Sequence, residues 1–136
     1  MDSSGDPDAR PGAMQFPDEL HRHLQQHTLT GIRVGPDRRA FVDIWMVEVS
    51  GRVFARSWNR SHAGWFGALL RGQSGEVRYG ERTAAVRGER PPPEAGLMER
   101  IDRAYLERFT QPANVAYARA ISRPEYHPYT IELIAV

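Results

Sequence analysis

The sequence predicts a mainly β domain, a small antiparallel barrel with helices packed outside it. Three observations carry that expectation. Alternating apolar runs meet at tight turn signals, Ser50-Gly51 and Gly80-Glu81, which is how β-hairpins are written. Leu97, Ile101, Tyr105 and Phe109 recur four residues apart, which marks one helix with a core-facing stripe. The chain then closes on an alternating run, Tyr129 to Val136, that reads as a last strand. About six strands and three or four helices, joined mostly by hairpins, fit a barrel better than a layered α/β fold.

Residues 1–15 form a leader expected to be disordered, because Met1 to Gly12 is Ser, Gly, Pro, Asp and Arg with almost nothing apolar. Residues 16–136 are then a single domain. A short helix is expected from Asp18 to His27, with Pro17 just outside it and two carboxylates in its first turn. Leu29 to Val34 can form a strand. Ala40 to Val49 is the most apolar stretch, and both of its faces are apolar, so it reads as one strand buried on both sides. Arg52 to Trp58 returns as the second arm of the hairpin. Trp65, Phe66, Leu69 and Leu70 then give a short amphipathic helix from His62 to Arg71, ended by Gly72. Glu76 to Tyr79 and Arg82 to Gly88 make another hairpin. A proline-rich linker leads into a helix from Glu94 to Phe109, and Pro112 to Ala120 adds a short one.

Composition narrows the chemistry. The 136 residues weigh 15.4 kDa, 40% are hydrophobic and 26% charged, with a formal net charge of +1. No cysteine is present, which excludes disulfides, thiol catalysis and cysteine-ligated metal sites. All 18 basic residues are arginine, so Schiff-base lysine chemistry is excluded and an anion would be gripped by planar guanidinium forks. A net charge near zero argues against nucleic acid as a partner. No apolar run reaches the roughly 20 residues that cross a bilayer, so a soluble, cytoplasmic protein with no membrane partner is expected.

His21, His23 and His27 share the first helix, but no carboxylate completes a metal motif, and no metal is expected there. No serine sits in a nucleophile elbow and no paired carboxylates stand out, so no catalytic group is singled out. The informative stretch is Arg56-Ser57-Trp58-Asn59-Arg60-Ser61, followed by Gly64-Trp65-Phe66. Two guanidinium forks, hydroxyl donors and a helix start within about ten residues suit a phosphate ester, and Trp65 could stack on a planar ring.

The run Asp43-Ile44-Trp45, then Val53-Phe54-Ala55-Arg56-Ser57, then Gly64-Trp65-Phe66 resembles the DUF2255 family of uncharacterised bacterial proteins. Ile101-Asp102-Arg103-Ala104-Tyr105 with Arg108-Phe109, and Thr130-Ile131-Glu132-Leu133, extend the resemblance over Leu29 to Val136. Glu132 stands where the family more often has arginine, and Arg108 where lysine is commoner. The family is in turn similar to the FMN-binding split β-barrel superfamily of pyridoxamine-phosphate-oxidase-like and deazaflavin-dependent reductases. The resemblance implies a six-stranded split barrel with flanking helices, a homodimer, and a pocket for FMN or a deazaflavin. It implies that Ser57, Asn59, Arg60 and Trp65 hold the cofactor's phosphate end, and Arg56 matches the arginine typical of the family there. In an oxidoreductase Arg56, Ser57, Asn59 and Arg60 would anchor the phosphate and Trp65 or Trp45 would wall the ring.

Three readings stand at this point. The first is a flavin- or deazaflavin-dependent oxidoreductase acting on a small organic substrate, with Tyr105, Tyr129 or His62 as candidate proton donors. The second is a non-catalytic module that binds a planar ligand. The third is a cofactor-free isomerase or cyclase that uses the same pocket, with Glu132 and His62 as its acid–base groups.

Overall fold

The computed structural model describes residues 15–36 and 40–136, so the expected leader lies outside the described residues apart from Gln15. The elements run α1 (Asp18–Gln26), β1 (Thr30–Val34), β2 (Val42–Ile44), β3 (Met46–Val49), β4 (Arg52–Arg56), α2 (Trp65–Leu70), β5 (Gly75–Tyr79), β6 (Arg82–Glu89), α3 (Leu97–Arg108), α4 (Val115–Ile121) and β7 (Thr130–Ala135). A 3-10 helix, Pro124–Tyr129, leads into β7 and was not expected from the sequence. Pro128, inside this segment, removes a backbone donor that an α-helix would need there.

All seven strands pair antiparallel in the order β2-β1-β5-β6-β7-β4-β3. The two edge strands are neighbours in the chain, with only Trp45 between them, so the sheet curls until its edges nearly meet. Six strands were expected and seven are present among the described residues, because the predicted strand Ala40 to Val49 divides at Trp45. The cause is a side chain. The β3–β4 ladder runs from Val49↔Arg52 to Met46↔Ala55, and the next rung would join Trp45 to Arg56. There the Tyr105 hydroxyl accepts the Arg56 N–H at 3.0 Å and donates to the Trp45 carbonyl at 2.9 Å. With that rung replaced by a phenol, the chain leaves β4 and crosses to β1, where Thr30 pairs with Ile44. Burial on both faces holds for Met46 and Val47 but not for Val42, which is 54% exposed.

The Ser50-Gly51 turn forms as its composition requires, with φ of 54° and 78°, the left-handed pair whose twist matches a two-residue hairpin. Two apolar cores result. One gathers residues from strands far apart in the sheet, among them Ile32, Val53, Val77, Val86 and Ile131, as only the inner side of a curled sheet allows. Leu20 and Leu24 of α1 and Phe66 and Leu69 of α2 complete it. The other core packs the predicted stripe Leu97, Ile101, Tyr105 and Phe109 against Val47, Val49 and Phe54 on the outer side. Among the described residues, no helix is long and apolar enough to cross a membrane.

Candidate functional site

A cleft of about 430 Å³ opens where β2 parts from β3, a volume within the range of small-molecule sites. Val42, Asp43, Ile44 and Trp45 supply the strand side, and Arg56, Ser57, Trp58 and Asn59 the end of β4 and its loop. Trp65 of α2 and Asn114, Tyr117 and Ile121 of α4 and its cap close the rest. Four of the large apolar side chains left exposed in the molecule, Leu29, Val42, Trp58 and Tyr117, line this cleft. Exposed apolar groups scattered singly mean little, but gathered at one opening they mark a binding surface.

The aromatic walls are fixed from behind. Trp45 stacks on Phe109 with ring centroids 3.9 Å apart and planes 6° from parallel. Trp58 stacks on Tyr126 at 5.7 Å and meets Tyr117 edge-on at 5.5 Å. Trp65 stands perpendicular to Phe66 at 6.1 Å. The loop after β4 is pinned by its own polar atoms. Ser57 N–H donates to the Tyr129 carbonyl, Arg60 N–H to the Ser57 carbonyl, and Ser61 N–H to Ser57 Oγ. The loop then lies so close to α2 that a Cβ on Gly67 would stand 1.9 Å from the His62 carbonyl oxygen. The helix expected from His62 begins at Trp65, with Gly64 at its N-cap.

Of the six residues expected to hold a cofactor, the fold gathers Trp45, Arg56, Ser57, Asn59 and Trp65 around the cleft. Arg60 is not among its lining; it adopts φ of 51° and lays its guanidinium over the Tyr126 ring. Arg56 borders the cleft, yet its guanidinium points elsewhere. Strand alternation sends Val53 and Ala55 to the inner core and Phe54 to the α3 side, and Arg56 follows Phe54. Fully buried there, Arg56 donates from Nε to Thr130 Oγ1 at 2.8 Å and from Nη1 to Asp102 Oδ1 at 2.5 Å and the Ile121 carbonyl at 2.9 Å. His127 Nε2 lies 3.1 Å from the other Asp102 oxygen. The expected phosphate fork is therefore an internal clamp that ties β4 to α3, α4 and β7.

The candidate proton donors lie away from the cleft lining. The Tyr105 phenol is buried within its two hydrogen bonds, and desolvation pushes its pKa well above the ordinary value. His62 and Tyr129 pack around Phe66. Glu132 is buried opposite Phe54, where both of its oxygens accept from Arg52 at 3.2 Å. Glu132 more than any other group raises the Arg52 pKa, and Arg52 and Arg100 together hold Glu94 below the usual carboxylate range. The histidines of α1 and its C-cap do not converge on one point. His21 pairs with Glu48, while His23 stacks on His27 and sets Nε2 2.9 Å from the Leu29 carbonyl. Among the described residues no group of three or more His, Cys, Asp or Glu could hold a metal ion.

Trp58, Tyr117, Asn114 and Asp43 belong to the site but were not selected from the sequence. Trp58 sat inside the stretch singled out, and an aromatic on an exposed helix face was the available signal for Tyr117.

A curled antiparallel sheet, divided at one residue and opening there into an aromatic cleft, defines a barrel-like β protein with a candidate ligand site. The chain belongs to the DUF2255 family, uncharacterized proteins conserved in bacteria, whose model matches residues 24–133. Comparison with curated proteins gives no match. Among solved structures it is similar to the conserved hypothetical protein Rv2991 from Mycobacterium tuberculosis, with a TM-score of 0.54 and 13% identity over 95% of this chain and 84% of that one. At that identity the likeness concerns the fold alone.

Proposed function

We propose that the cleft binds a planar heteroaromatic cofactor of the flavin class, FMN or a deazaflavin, in an oxidoreductase acting on a small organic substrate. The observation that supports this reading is the meeting of Trp45, Trp58, Trp65 and Tyr117 around one open cleft with Ser57, Asn59 and Asn114 among them. Aromatic faces suit a flat ring, and amides and a hydroxyl suit its polar edge. The split-barrel resemblance points the same way. The residues fit the ring better than the phosphate, because the Arg56 guanidinium is already committed to Asp102. Ser57, Asn59 and Asn114 would carry the polar end, with Arg60 on the adjoining loop as the nearest cation in sequence. Such a cofactor would supply hydride transfer, while this chain would bind and orient it and limit access of water. A second copy of the chain covering Leu29 and Val42 at the rim belongs to the same proposal.

The committed Arg56 also favours a second reading, a non-catalytic module that binds an unphosphorylated planar ligand. Turnover separates the two. The purified protein, supplied with FMN or a deazaflavin and a nicotinamide donor, should accelerate reduction of the bound cofactor, and Trp65→Ala should remove that acceleration. Tight binding of the cofactor with no reduction by any nicotinamide donor would leave the module reading standing.

A further inference from the structure

The charge of the cleft lining has a consequence for what enters it. Among the described lining residues the charged side chains are Arg56 and Asp43. The Arg56 guanidinium is buried and neutralised by Asp102 at 2.5 Å. The Asp43 side chain makes no hydrogen bond and no ion pair among the described residues, and it is exposed on β2. Among the described lining residues it is therefore the one charge without a partner, in the same cleft as the aromatic faces. Trp58 and Tyr117 stand there at 65° to each other with centroids 5.5 Å apart, and they are 44% and 54% exposed. Exposed aromatic faces attract a cation through the ring quadrupoles, and a carboxylate lining the same cleft adds to that attraction. Behind Trp58, the stacked Tyr126 ring carries the Arg60 guanidinium 5.6 Å from its centroid.

We infer that the mouth of the cleft recognises a small organic cation, an amine or a quaternary ammonium, between the Asp43 carboxylate and the Trp58 and Tyr117 rings. The inference gives the substrate of the reading above a charge class, and it rests on the cleft being a ligand site. Specificity then follows from charge at nearly constant shape. A neutral analogue keeps the apolar contact but loses the attraction to Asp43 and to the ring faces.

The test titrates the full-length protein with choline and with its uncharged isostere 3,3-dimethylbutan-1-ol, followed by tryptophan fluorescence and calorimetry. Choline should bind saturably and at least tenfold more tightly than the alcohol. Asp43→Asn should erase most of that preference, and Tyr117→Leu should reduce it. Both side chains are exposed, and a thermal melt of each variant confirms that it is folded. Equal binding of the two probes, or a choline preference unchanged in Asp43→Asn, would overturn the inference. A flavin titration of the wild-type protein is run in parallel. Flavin binding without choline preference defeats the cation site alone, and choline preference without flavin binding defeats the cofactor reading alone.

Discussion

Arg56 joins four elements through one side chain, touching Thr130, Asp102 and the Ile121 carbonyl while its own N–H meets Tyr105. Removing one partner of a buried charge pair leaves the other uncompensated, so Arg56→Met should lower stability by roughly 3–5 kcal/mol in chemical denaturation. A loss below about 1 kcal/mol would show that Asp102 is satisfied without it. Tyr105 provides a second test, through pH. Its folded pKa is raised, mainly by burial, so the folded state holds the phenol proton more tightly than the unfolded chain does. Its contribution is fully present below the unfolded value near pH 10 and is lost as pH rises beyond it. Stability should therefore fall above about pH 10, with a slope approaching 1.4 kcal/mol per pH unit from this group. Tyr105→Phe should be less stable at neutral pH and should lack that part of the slope. At this scale the sequence was only partly legible. It pointed to Arg56 and Ser57 as neighbours in one anion-binding stretch, but neighbours on a strand face opposite ways. Which face met the cleft depended on where α3 packs, and no local spacing encodes that.

Element boundaries followed local chemistry where turns were short and erred where distant groups intervened. The Ser50-Gly51 hairpin and the α3 stripe were readable because each is set by residues a few positions apart. The division of the strand at Trp45 was not, because it is imposed by a phenol 60 residues away. Nor was the start of α2 at Trp65, after a loop that lies against Gly67. That contact makes Gly67 a sensitive position, since the nearest obstacle to a Cβ is backbone rather than a flexible side chain. Gly67→Ala should destabilise the protein by about 1–3 kcal/mol, read as a lowered Tm, and shift the loop that carries Ser57 and Asn59. An unchanged Tm with unchanged loop chemical shifts would show that the backbone yields without cost. At the cleft wall, Trp65→Ala should weaken binding of a planar ligand by about 1–3 kcal/mol, the scale measured for stacking of flat bases on aromatic side chains.

The whole molecule is a sheet whose edges are joined by one tryptophan, with an inner core, an outer core under α3, and a cleft at the point of division. Hairpin counting and helix periodicity were enough to anticipate a small antiparallel barrel with flanking helices. The cleft itself was not legible, because β2, the β4 loop and α4 are brought together only by the fold. Leu29, Val42, Trp58 and Tyr117 leave its mouth apolar and exposed, and the proposed dimer would cover Leu29 and Val42. Light scattering should then report twice the 15.4 kDa chain mass, and charged substitutions at Leu29 and Val42 should return the protein to the monomer. A monomer in the wild type would remove the dimer from the account. The central claim, that the cleft is a site for a flavin-class ring, is tested most directly by fluorescence titration of the dialysed protein with FMN and, separately, with a deazaflavin cofactor. The account predicts saturable binding of one of them at micromolar concentration or tighter, weakened by Trp65→Ala; binding of neither would contradict it.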